Sequence, residues 1–232
     1  MTIPYLEFDH LIKSIPFLSR LSDDEVNEIK HITIEKRFLK NQTILQEEDT
    51  PNYLYFVYSG KVKVVQINAE GKERMIAIHK RGDFFGEMAA LDGMTAPATV
   101  IAIEDTKVGF ISRADFETYL LKNNKVLKEI IAMLCGRLRE AWRTLKMMSF
   151  ADAEEKVRII LKNMAGQFGI QDQRGTIINL KLTHKDIAEF ASISRETVTR
   201  TFKKFVEAGE IEILDNRRIL LKPAFLKSTD LL

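Results

Sequence analysis

The side chains best suited to binding a charged partner lie in the segment Ser194–Arg200, which reads Ser-Arg-Glu-Thr-Val-Thr-Arg. Ser194 can cap a helix, and Arg195, Glu196 and Arg200 would then lie near the start of that helix. An arginine guanidinium can donate two hydrogen bonds to guanine O6 and N7, and a glutamate carboxylate can accept one from cytosine N4. The segment therefore has the chemistry of a helix that reads bases in the DNA major groove, although on its own the pattern more often belongs to an ordinary solvated helix.

Two helices joined by a tight turn are predicted around this segment. The first helix begins after Thr183, which can cap it, and Asp186 stands where a capping box places an acid. This helix ends near Ala191, and a second helix follows the turn and runs over Arg195–Glu207. Apolar residues at helical spacing supply a shared core: Ile187, Ala188, Ile193, Val198, Phe202, Phe205 and Val206.

A β-hairpin is predicted next, from Ile211–Leu214 and Arg218–Leu221 around the turn Asp215–Arg217. Two helices, a tight turn and a hairpin are the arrangement of a winged helix-turn-helix. We therefore predict that bases are read by Arg195, Glu196, Thr199 and Arg200. Phosphates are predicted to contact Thr183, Ser194, Thr197, Lys203, Lys204, Arg217 and Arg218. The stretch Lys181–Lys204 has six basic and three acidic residues, which is compatible with a phosphate-binding face.

The first half of the chain has a different texture, because short β-rich runs alternate with turn signals from about residue 32 to residue 112. The predicted strands are Thr43–Gln46, Tyr53–Tyr58, Val62–Ile67, Met75–His79 and Lys107–Ile111. Their regular spacing predicts an antiparallel barrel or sandwich. In the second half, Asp152–Phe168 reads as a helix, Gln171–Gly175 as a loop and Thr176–Lys181 as a short strand. His79 is interpreted as a surface or internally satisfied polar group.

Between these halves lies the clearest helical periodicity of the chain. Apolar residues are spaced alternately by four and three residues, which is the a/d pattern of a coiled coil: Leu127, Ile131, Leu134, Leu138, Ala141, Leu145 and Met148. We call this set the seam. Two interpretations stay open, a seam between two copies of the helix in a dimer or a helix packed on its own domain, and each can hold for part of the helix. Cys135 is interpreted as a small core residue of this helix.

Composition and motifs exclude several classes of protein. The net charge is +2, and the single cysteine permits no intramolecular disulfide, which fits a reducing compartment. We find no nucleophile–base set, metal-ligand cluster or P-loop, so no enzyme is predicted. No signal-like segment or membrane-length apolar run is apparent. We therefore expect a cytoplasmic, membrane-free protein without a metal or a certain cofactor.

Two parts of the sequence resemble the cyclic-AMP receptor and fumarate–nitrate regulator (Crp/Fnr) family. Leu182–Ile213 looks like its winged helix. Arg81–Ala89, which reads Arg-Gly-Asp-Phe-Phe-Gly-Glu-Met-Ala, together with Ala98–Val100 looks like its cyclic-nucleotide-binding β-roll. The resemblance covers nearly the whole chain and implies a bacterial transcriptional regulator. It implies a homodimer on near-palindromic double-stranded DNA, acting on RNA polymerase, and the base-reading triplet implies a half-site with a TGTGA-like core.

The implied fold class is α+β, with an N-terminal β-roll, a long dimerisation helix and a C-terminal winged helix-turn-helix. The expected boundaries are residues 1–118 for the sensor β-roll, 119–149 for the dimerisation helix and 150–232 for the DNA-binding domain. A rival interpretation, a nucleotide-binding module acting on a protein partner, would lack the recognition helix.

The sensor departs from the family pattern in two places. Gly86 and Glu87 match the start of the family's phosphate-binding cassette, but Ala96 stands where an arginine pairs with the cyclic phosphate. By alignment from Asp152, Ala141 and Trp142 stand where two hydroxyl residues contact adenine. If an effector pocket exists, it is expected to include Gly86, Glu87, Met88, Ala96, Pro97, Ala98, Ala141 and Trp142.

These departures make cyclic AMP a doubtful effector. The favoured expectations are a different small effector or action without a ligand, and a cyclic-AMP-responsive regulator with an atypical cassette is the alternative. Haem or redox sensing also stays open, although no histidine stands in a metal-ligand pair. Trp142 is interpreted either as a stacking partner of a ligand or as a packing residue.

Overall fold

The computed structural model describes residues 11–50, 52–214 and 217–227. The chain divides into two compact units, the first ending at Leu138 and the second beginning at Arg139. Each unit is described by itself, and the three-part division expected from the sequence stays a prediction. The unit boundary falls within one long helix, whose residues contribute to both units.

In the described part of the first unit, eight strands form two four-stranded antiparallel sheets. They are β1 (Ile34–Phe38), β2 (Thr43–Leu45), β3 (Tyr53–Ser59), β4 (Lys61–Ile67), β5 (Glu73–Lys80), β6 (Phe84–Phe85), β7 (Thr99–Ala102) and β8 (Thr106–Ser112). One sheet has the order β1-β8-β3-β6 and the other the order β2-β7-β4-β5. This confirms an antiparallel β-roll, and all five predicted strands are present.

Strand β3 contributes alternate side chains to two separate cores. Leu54, Phe56 and Tyr58 pack against the helices, whereas Tyr55 and Val57 pack between the sheets. Side chains of a strand point alternately to opposite faces, and here both faces are covered. Residues 54–58 of the strand are therefore aliphatic or aromatic without interruption, rather than alternating between apolar and polar.

Helices pack on one sheet of the first unit, and the last of them continues beyond the end of this unit. They are α1 (Asp23–Ile32), α2 (Glu87–Asp92), α3 (Arg113–Asp115), which continues as a π-helix over Phe116–Leu120, and α4 (Asn124–Phe150). Ser22 and Glu25 form a capping box at the start of α1. Val126 and Ile130 of α4 are buried in the same core as the helix-facing side of β3. The beginning of α4 therefore packs on its own unit.

The second unit combines helices with a small antiparallel sheet. Its elements are α5 (Ala153–Phe168), β9 (Gly169–Asp172), β10 (Gly175–Ile178), α6 (His184–Ala191), α7 (Arg195–Glu207), β11 (Ile211–Ile213), β12 (Ile219–Leu221) and α8 (Pro223–Lys227). The sheet order is β11-β12-β10-β9. Asp215 and Asn216, at the expected turn of the hairpin β11–β12, lie outside the described residues.

Four strands were not foreseen from the sequence. Strands β1, β6 and β7 carry no clear alternation or are too short to show one, and their pairing partners lie far along the chain. The prediction of a loop over Gln171–Gly175 was wrong in part. Gln171 and Asp172 belong to β9, and they pair with Thr176 and Gly175 of β10.

Candidate DNA-binding interface and sensor site

Local hydrogen bonds define the start of each helix in the pair α6 and α7. The Thr183 hydroxyl accepts a bond from Asp186 N at 3.1 Å, and the Asp186 carboxylate accepts one from Thr183 N at 2.7 Å. Ser194 caps α7 by accepting from Thr197 N at 3.1 Å. Both caps were predicted from the sequence, and both are present. Between them Ser192 has a φ of 51°, a left-handed conformation that lets the chain turn sharply.

Helix α7 separates its residues into a buried and an exposed face. Val198, Thr201, Phe202 and Phe205 are buried against the rest of the unit. The four predicted base-reading residues, Arg195, Glu196, Thr199 and Arg200, are all exposed. Positions i, i+1, i+4 and i+5 lie on one side of a helix, so the fold presents these four side chains together on the first two turns.

Glu196 is held as an anion at the start of α7. Hydrogen bonds from its own backbone N–H and from the Ser194 hydroxyl, with the nearby charge of Arg195, lower the pKa of this exposed carboxyl. An ionised carboxylate accepts hydrogen bonds and does not donate them. This is the state required to accept a bond from the amino group of cytosine.

The predicted phosphate-contacting residues are distributed around this face. Thr183 and Ser194 are exposed, and Thr197 is half-buried. Lys203 lies 3.8 Å from Glu207, and Lys204 lies 3.2 Å from Glu154 of α5. These ion pairs are exposed and therefore weak, which leaves both ammonium groups able to exchange partners.

Two arginines directly precede the second strand of the hairpin, β12. Arg217 is exposed and Arg218 is half-buried, and Leu214 N donates to Arg218 O at 2.8 Å. Arg217 has a φ of 61°, which is a turn conformation. The structure therefore puts both predicted residues beside the turn of the wing.

One arginine in the second unit has a role that sequence reasoning missed. The guanidinium of Arg158 in α5 lies 4.5 and 4.6 Å from the ring centres of Phe205 and Phe225, which contact each other edge to face, and it pairs with Glu210 at 2.8 Å. Its side chain is only 14% exposed. It therefore links α5 to the end of α7, to the start of the wing and to α8. No local pattern signals this, because the four residues are far apart in sequence.

The first helical turn of α6 also contacts the recognition face directly. His184 Nδ1 lies 2.8 Å from the Oγ1 of Thr199. Its ring centre lies 4.8 Å from that of Phe202. Sequence reasoning did not assign His184 to the interface.

The sensor cassette begins at Gly86, where the backbone conformation requires a glycine. Gly86 has a φ of 80°, and a Cβ atom there would lie 2.8 Å from the Tyr55 ring and 3.0 Å from Tyr53 O. Glu87 follows as the first residue of α2 and is only 4% exposed. Its carboxylate forms an ion pair with Arg137 of α4, a residue that the sequence did not single out.

Arg137 makes further contacts around this pair. Its guanidinium lies 5.0 Å from the centre of the Phe84 ring, and it donates to Phe84 O at 3.5 Å. The side chain of Arg137 is 38% exposed. The negative charge of Glu87 is therefore balanced by a cation of the protein itself.

Ala96 belongs to the hydrophobic core. It is 2% exposed and packs in the cluster that contains Val57, Phe85 and Val100. Its N–H donates to Asp49 O at 2.8 Å, and its carbonyl accepts from the N–H of Glu48 at 2.9 Å. The backbone is thus fixed on both sides, and this side chain cannot contact a phosphate.

The other predicted pocket residues do not form a common polar surface. Met88 is 47% exposed, whereas Ala98 is buried. Pro97 is exposed, and its carbonyl accepts a bond from the side-chain amide of Gln66 at 3.3 Å. The residues present therefore do not fit the cyclic phosphate in the manner that the resemblance implies, because position 96 carries a buried alanine and not the arginine that would pair with it.

His79 is largely buried, with 18% of its side chain exposed. Its ring stacks on Phe85 with centres 6.2 Å apart, and its Nδ1 lies 3.9 Å from the carboxylate of Asp83. Burial, with the positive charge of Arg137, lowers the pKa of His79 to about 4. Burial raises the pKa of Asp83. The packing of the ring favours an internal position for His79 over a surface one.

Helix α4 exposes most of the seam. Ile131, Leu138 and Leu145 are 59%, 59% and 60% exposed, and Leu134 and Ala141 are exposed as well. Leu127 and Met148, at the two ends, are half-buried. Trp142 is 65% exposed. Cys135 is exposed, so its interpretation as a core residue was wrong for the single chain.

The described residues form neither a metal site nor a membrane-spanning helix. No group of histidine, cysteine, aspartate and glutamate among them is arranged to hold a metal ion. No helix in the described part of the chain has the length and apolar character needed to cross a membrane.

Comparison with known families now identifies the chain. The family model of the cyclic nucleotide-binding domain matches residues 35–123, and that of the Crp-like helix-turn-helix domain matches residues 154–228. The cyclic AMP receptor protein of Thermus thermophilus is 30% identical over 202 residues, covering 87% of this chain and 90% of that protein. The chain belongs to the Crp/Fnr family of transcriptional regulators.

Solved structures of other bacterial proteins share this fold. FixK2 from Bradyrhizobium japonicum matches with a TM-score of 0.72 at 24% identity, covering 82% of this chain and 92% of that one. CLP from Xanthomonas campestris, described as a c-di-GMP responsive global regulator, matches with a TM-score of 0.73 at 20% identity, covering 87% and 99%. The comparisons confirm the α+β fold class and a DNA-binding regulator of a non-enzymatic family whose members bind DNA as dimers.

Proposed function

We propose that this Crp/Fnr protein is a cytoplasmic homodimer that binds near-palindromic DNA with TGTGA-like half-sites and recruits or obstructs RNA polymerase. The observation that carries the proposal is the exposed set Arg195, Glu196 and Arg200 on the first two turns of α7. These residue types match guanine and cytosine edges in the major groove. Arg158 and the two helix caps hold this helix in place, so its first turns are presented on a rigid support.

Dimerisation through the seam supports this proposal. The a/d face of α4 has three large aliphatic side chains that are about 60% exposed in one chain. A second copy of the same helix would cover them, because in a coiled coil each a or d side chain inserts between four residues of a facing helix with the same repeat. In the proposed dimer the two α4 helices set the separation of the two recognition helices.

A substitution in the seam tests the dimer. Leu138→Glu places a charge at a proposed buried position, and we expect the protein to become monomeric in analytical ultracentrifugation and to lose tight binding to a palindrome. Arg139→Glu, one position along on the neighbouring face, is the matched control and should remain dimeric. A dimeric Leu138→Glu protein would contradict the seam.

Base reading is tested at Arg200. Arg200→Lys keeps the positive charge but loses the planar fork that makes two bonds to guanine. We expect binding to the selected palindrome to weaken by roughly 10- to 100-fold, with much less change on a duplex of scrambled sequence. Fluorescence anisotropy on both duplexes measures this, and an equal loss on the two would count against base reading.

Control by an effector other than typical cyclic AMP, or action without a ligand, is the second part of the proposal. The burial of Ala96 and the pairing of Glu87 with Arg137 support it, since an alanine side chain cannot pair with the phosphate of a cyclic nucleotide. The retained Gly86 and Glu87 favour the alternative, a cyclic-AMP-responsive regulator with an atypical cassette. The relatives named above are described as responding to cyclic AMP in one case and to c-di-GMP in another.

Calorimetry with cyclic AMP, cyclic GMP and c-di-GMP separates these possibilities. We expect no tight binding of cyclic AMP, and tight binding would establish the alternative. Binding of the effector-free protein to its palindrome, measured in parallel, distinguishes a ligand-independent regulator from one that requires another small molecule.

A further inference from the structure

The hydrogen bonds around Thr199 restrict what its hydroxyl can offer to DNA. Thr199 Oγ1 donates to the carbonyl oxygen of Arg195 at 2.9 Å, one turn earlier in α7. The same oxygen lies 2.8 Å from the Nδ1 of His184 in α6. A hydroxyl has one proton and two lone pairs, and a carbonyl oxygen only accepts. The two contacts fit an arrangement in which the hydroxyl donates to Arg195 O and accepts from Nδ1–H of His184. In the other tautomer the hydroxyl would donate to Nδ1 instead, and we assign the first arrangement, which the tautomer measurement below tests.

This assignment determines the tautomer of the imidazole. His184 carries its proton on Nδ1, and Nε2 bears the lone pair when the ring is neutral. Burial, with the positive charge of Arg195, lowers the pKa of His184 and keeps the ring neutral near pH 7. On its own helix, Lys185 pairs with Glu189 at 3.4 Å and Asp186 bonds to Thr183. Among the described residues, Nε2 of His184 has no hydrogen-bond partner.

The ring is also held in place by packing. Its centre lies 4.8 Å from that of Phe202, which is 4% exposed. His184 is half-buried, and Thr199 is exposed on the side of α7 that carries the base-reading set. Of the two lone pairs on Thr199 Oγ1, one accepts from His184 and the other remains available on the exposed face.

We infer that Thr199 is a specificity-determining residue that acts only as a hydrogen-bond acceptor, with His184 as its positioning residue. In the major groove, the donors are the N6 amino group of adenine and the N4 amino group of cytosine. The base opposite Thr199 is therefore adenine or cytosine, and the keto oxygens of guanine and thymine are disfavoured. This inference rests on the proposed function, because it requires α7 to read bases.

The tautomer is testable without DNA. Nitrogen-15 correlation spectra distinguish a proton on Nδ1 from one on Nε2, and the chain has four histidines, so the His184 signals can be assigned by His184→Asn. We expect the Nδ1–H form in the wild type and a change towards Nε2–H in Thr199→Val, which removes the accepting oxygen and keeps the side-chain shape. An Nε2–H form in the wild type would overturn the inference.

Base preference is tested with modified duplexes. In the selected half-site, each adenine is replaced in turn by purine and each cytosine by pyrimidin-2-one, which lack the amino group. We expect one such replacement to weaken wild-type binding by roughly 3- to 10-fold and to have no added effect on Thr199→Val. If no replacement behaves in this way, Thr199 does not read an amino group.

His184 variants separate positioning from simple folding. His184→Asn can supply an N–H donor near the position of Nδ1, and we expect it to keep the wild-type base preference. His184→Ala frees the hydroxyl to rotate, and we expect it to accept keto bases at the same position while circular dichroism shows a folded protein. An unchanged preference in His184→Ala would overturn the positioning role.

The outcomes also distinguish this inference from the proposed function. If Arg200→Lys discriminates between selected and scrambled DNA but the amino-group replacements do not depend on Thr199, only the inference fails. If the wild type shows no sequence preference on any duplex, the proposed function fails and the inference fails with it.

Discussion

The recognition helix and the sensor cassette both use arginine and glutamate, but the fold places them in opposite environments. On α7, Arg195, Glu196 and Arg200 are exposed, so their hydrogen-bonding groups can meet a partner from outside. In the cassette, Glu87 is 4% exposed and pairs with Arg137. The same chemical groups thus form a reading surface in one unit and an internally balanced pair in the other.

This difference in burial predicts different roles for the charged residues of the two units. Removing an exposed guanidinium costs the folded protein little stability, because the group is already solvated by water. Removing the cation beside a buried carboxylate is costly, because it leaves an uncompensated buried charge. A ligand that displaced Arg137 from Glu87 would have to replace that cation. Removing the arginine that pairs with Glu87 should therefore mainly lower stability, whereas removing an arginine of the recognition helix should mainly weaken DNA binding.

The largest effect is expected at Arg137. Arg137→Ala leaves the Glu87 carboxylate buried without its cation, and we expect the free energy of unfolding to fall by about 3 kcal/mol. Arg200→Ala, the matched substitution on the exposed face, should change it by less than about 0.5 kcal/mol. Urea unfolding followed by circular dichroism measures both.

A double variant is the control for the pair. Glu87→Gln with Arg137→Met removes both charges, and we expect it to recover most of the lost stability because no buried charge remains. If Arg137→Ala and Arg200→Ala cost the same, the contrast between the two units is wrong.

Acid should destabilise the sensor through His79. Because its pKa in the folded protein is lowered to about 4 from 6.5, the unfolded chain takes up a proton first as the pH falls. Above pH 6.5 the group has no effect on stability, and from there to about pH 4 we expect a loss on the order of 3 kcal/mol. Hydrogen exchange of the amides in β5 (Glu73–Lys80) reports this unit.

Two glutamine variants isolate the contribution of His79. His79→Gln should flatten the pH dependence between 6.5 and 4, because glutamine does not titrate. His31→Gln changes an exposed histidine of the same unit and should leave the profile as in the wild type. An equal effect of both variants would rule out burial of His79 as the cause.

A smaller effect is expected at the cap of the recognition helix. Ser194→Ala removes the acceptor for Thr197 N, and we expect a loss of about 1 kcal/mol in stability. Ser194→Asp caps equally well but adds a negative charge at the proposed DNA face, so it should retain stability and bind DNA more weakly. If Ser194→Asp binds DNA like the wild type, the start of α7 does not approach phosphates.

The smallest effect is expected from a single phosphate contact. Lys203→Gln should weaken binding similarly on selected and scrambled duplexes, and should reduce the slope of log Kd against log salt by about 0.9. This contrasts with Arg200→Lys, which should act mainly on the selected duplex. A sequence-dependent loss in Lys203→Gln would move this residue into the base-reading set.

Local features were predictable from the sequence. The caps at Thr183 and Ser194 and the periodicity of the helices depend on residues within about one turn of each other, and both caps are present. The family resemblance placed the β-roll and the winged helix correctly. Strands β6 and β7 were missed, because a strand of two or four residues shows little alternation.

The sequence by itself determined which chemical groups the chain has: an Arg-Glu-Arg set on a capped helix, a glutamate without the expected arginine at Ala96, and an a/d seam. Only the tertiary structure decided which of these groups are satisfied internally. Arg137 meets Glu87, His184 meets Thr199 and Arg158 meets Phe205 across long stretches of chain. The reason is that burial and pairing between distant residues depend on how sheets and helices pack, which no local spacing records.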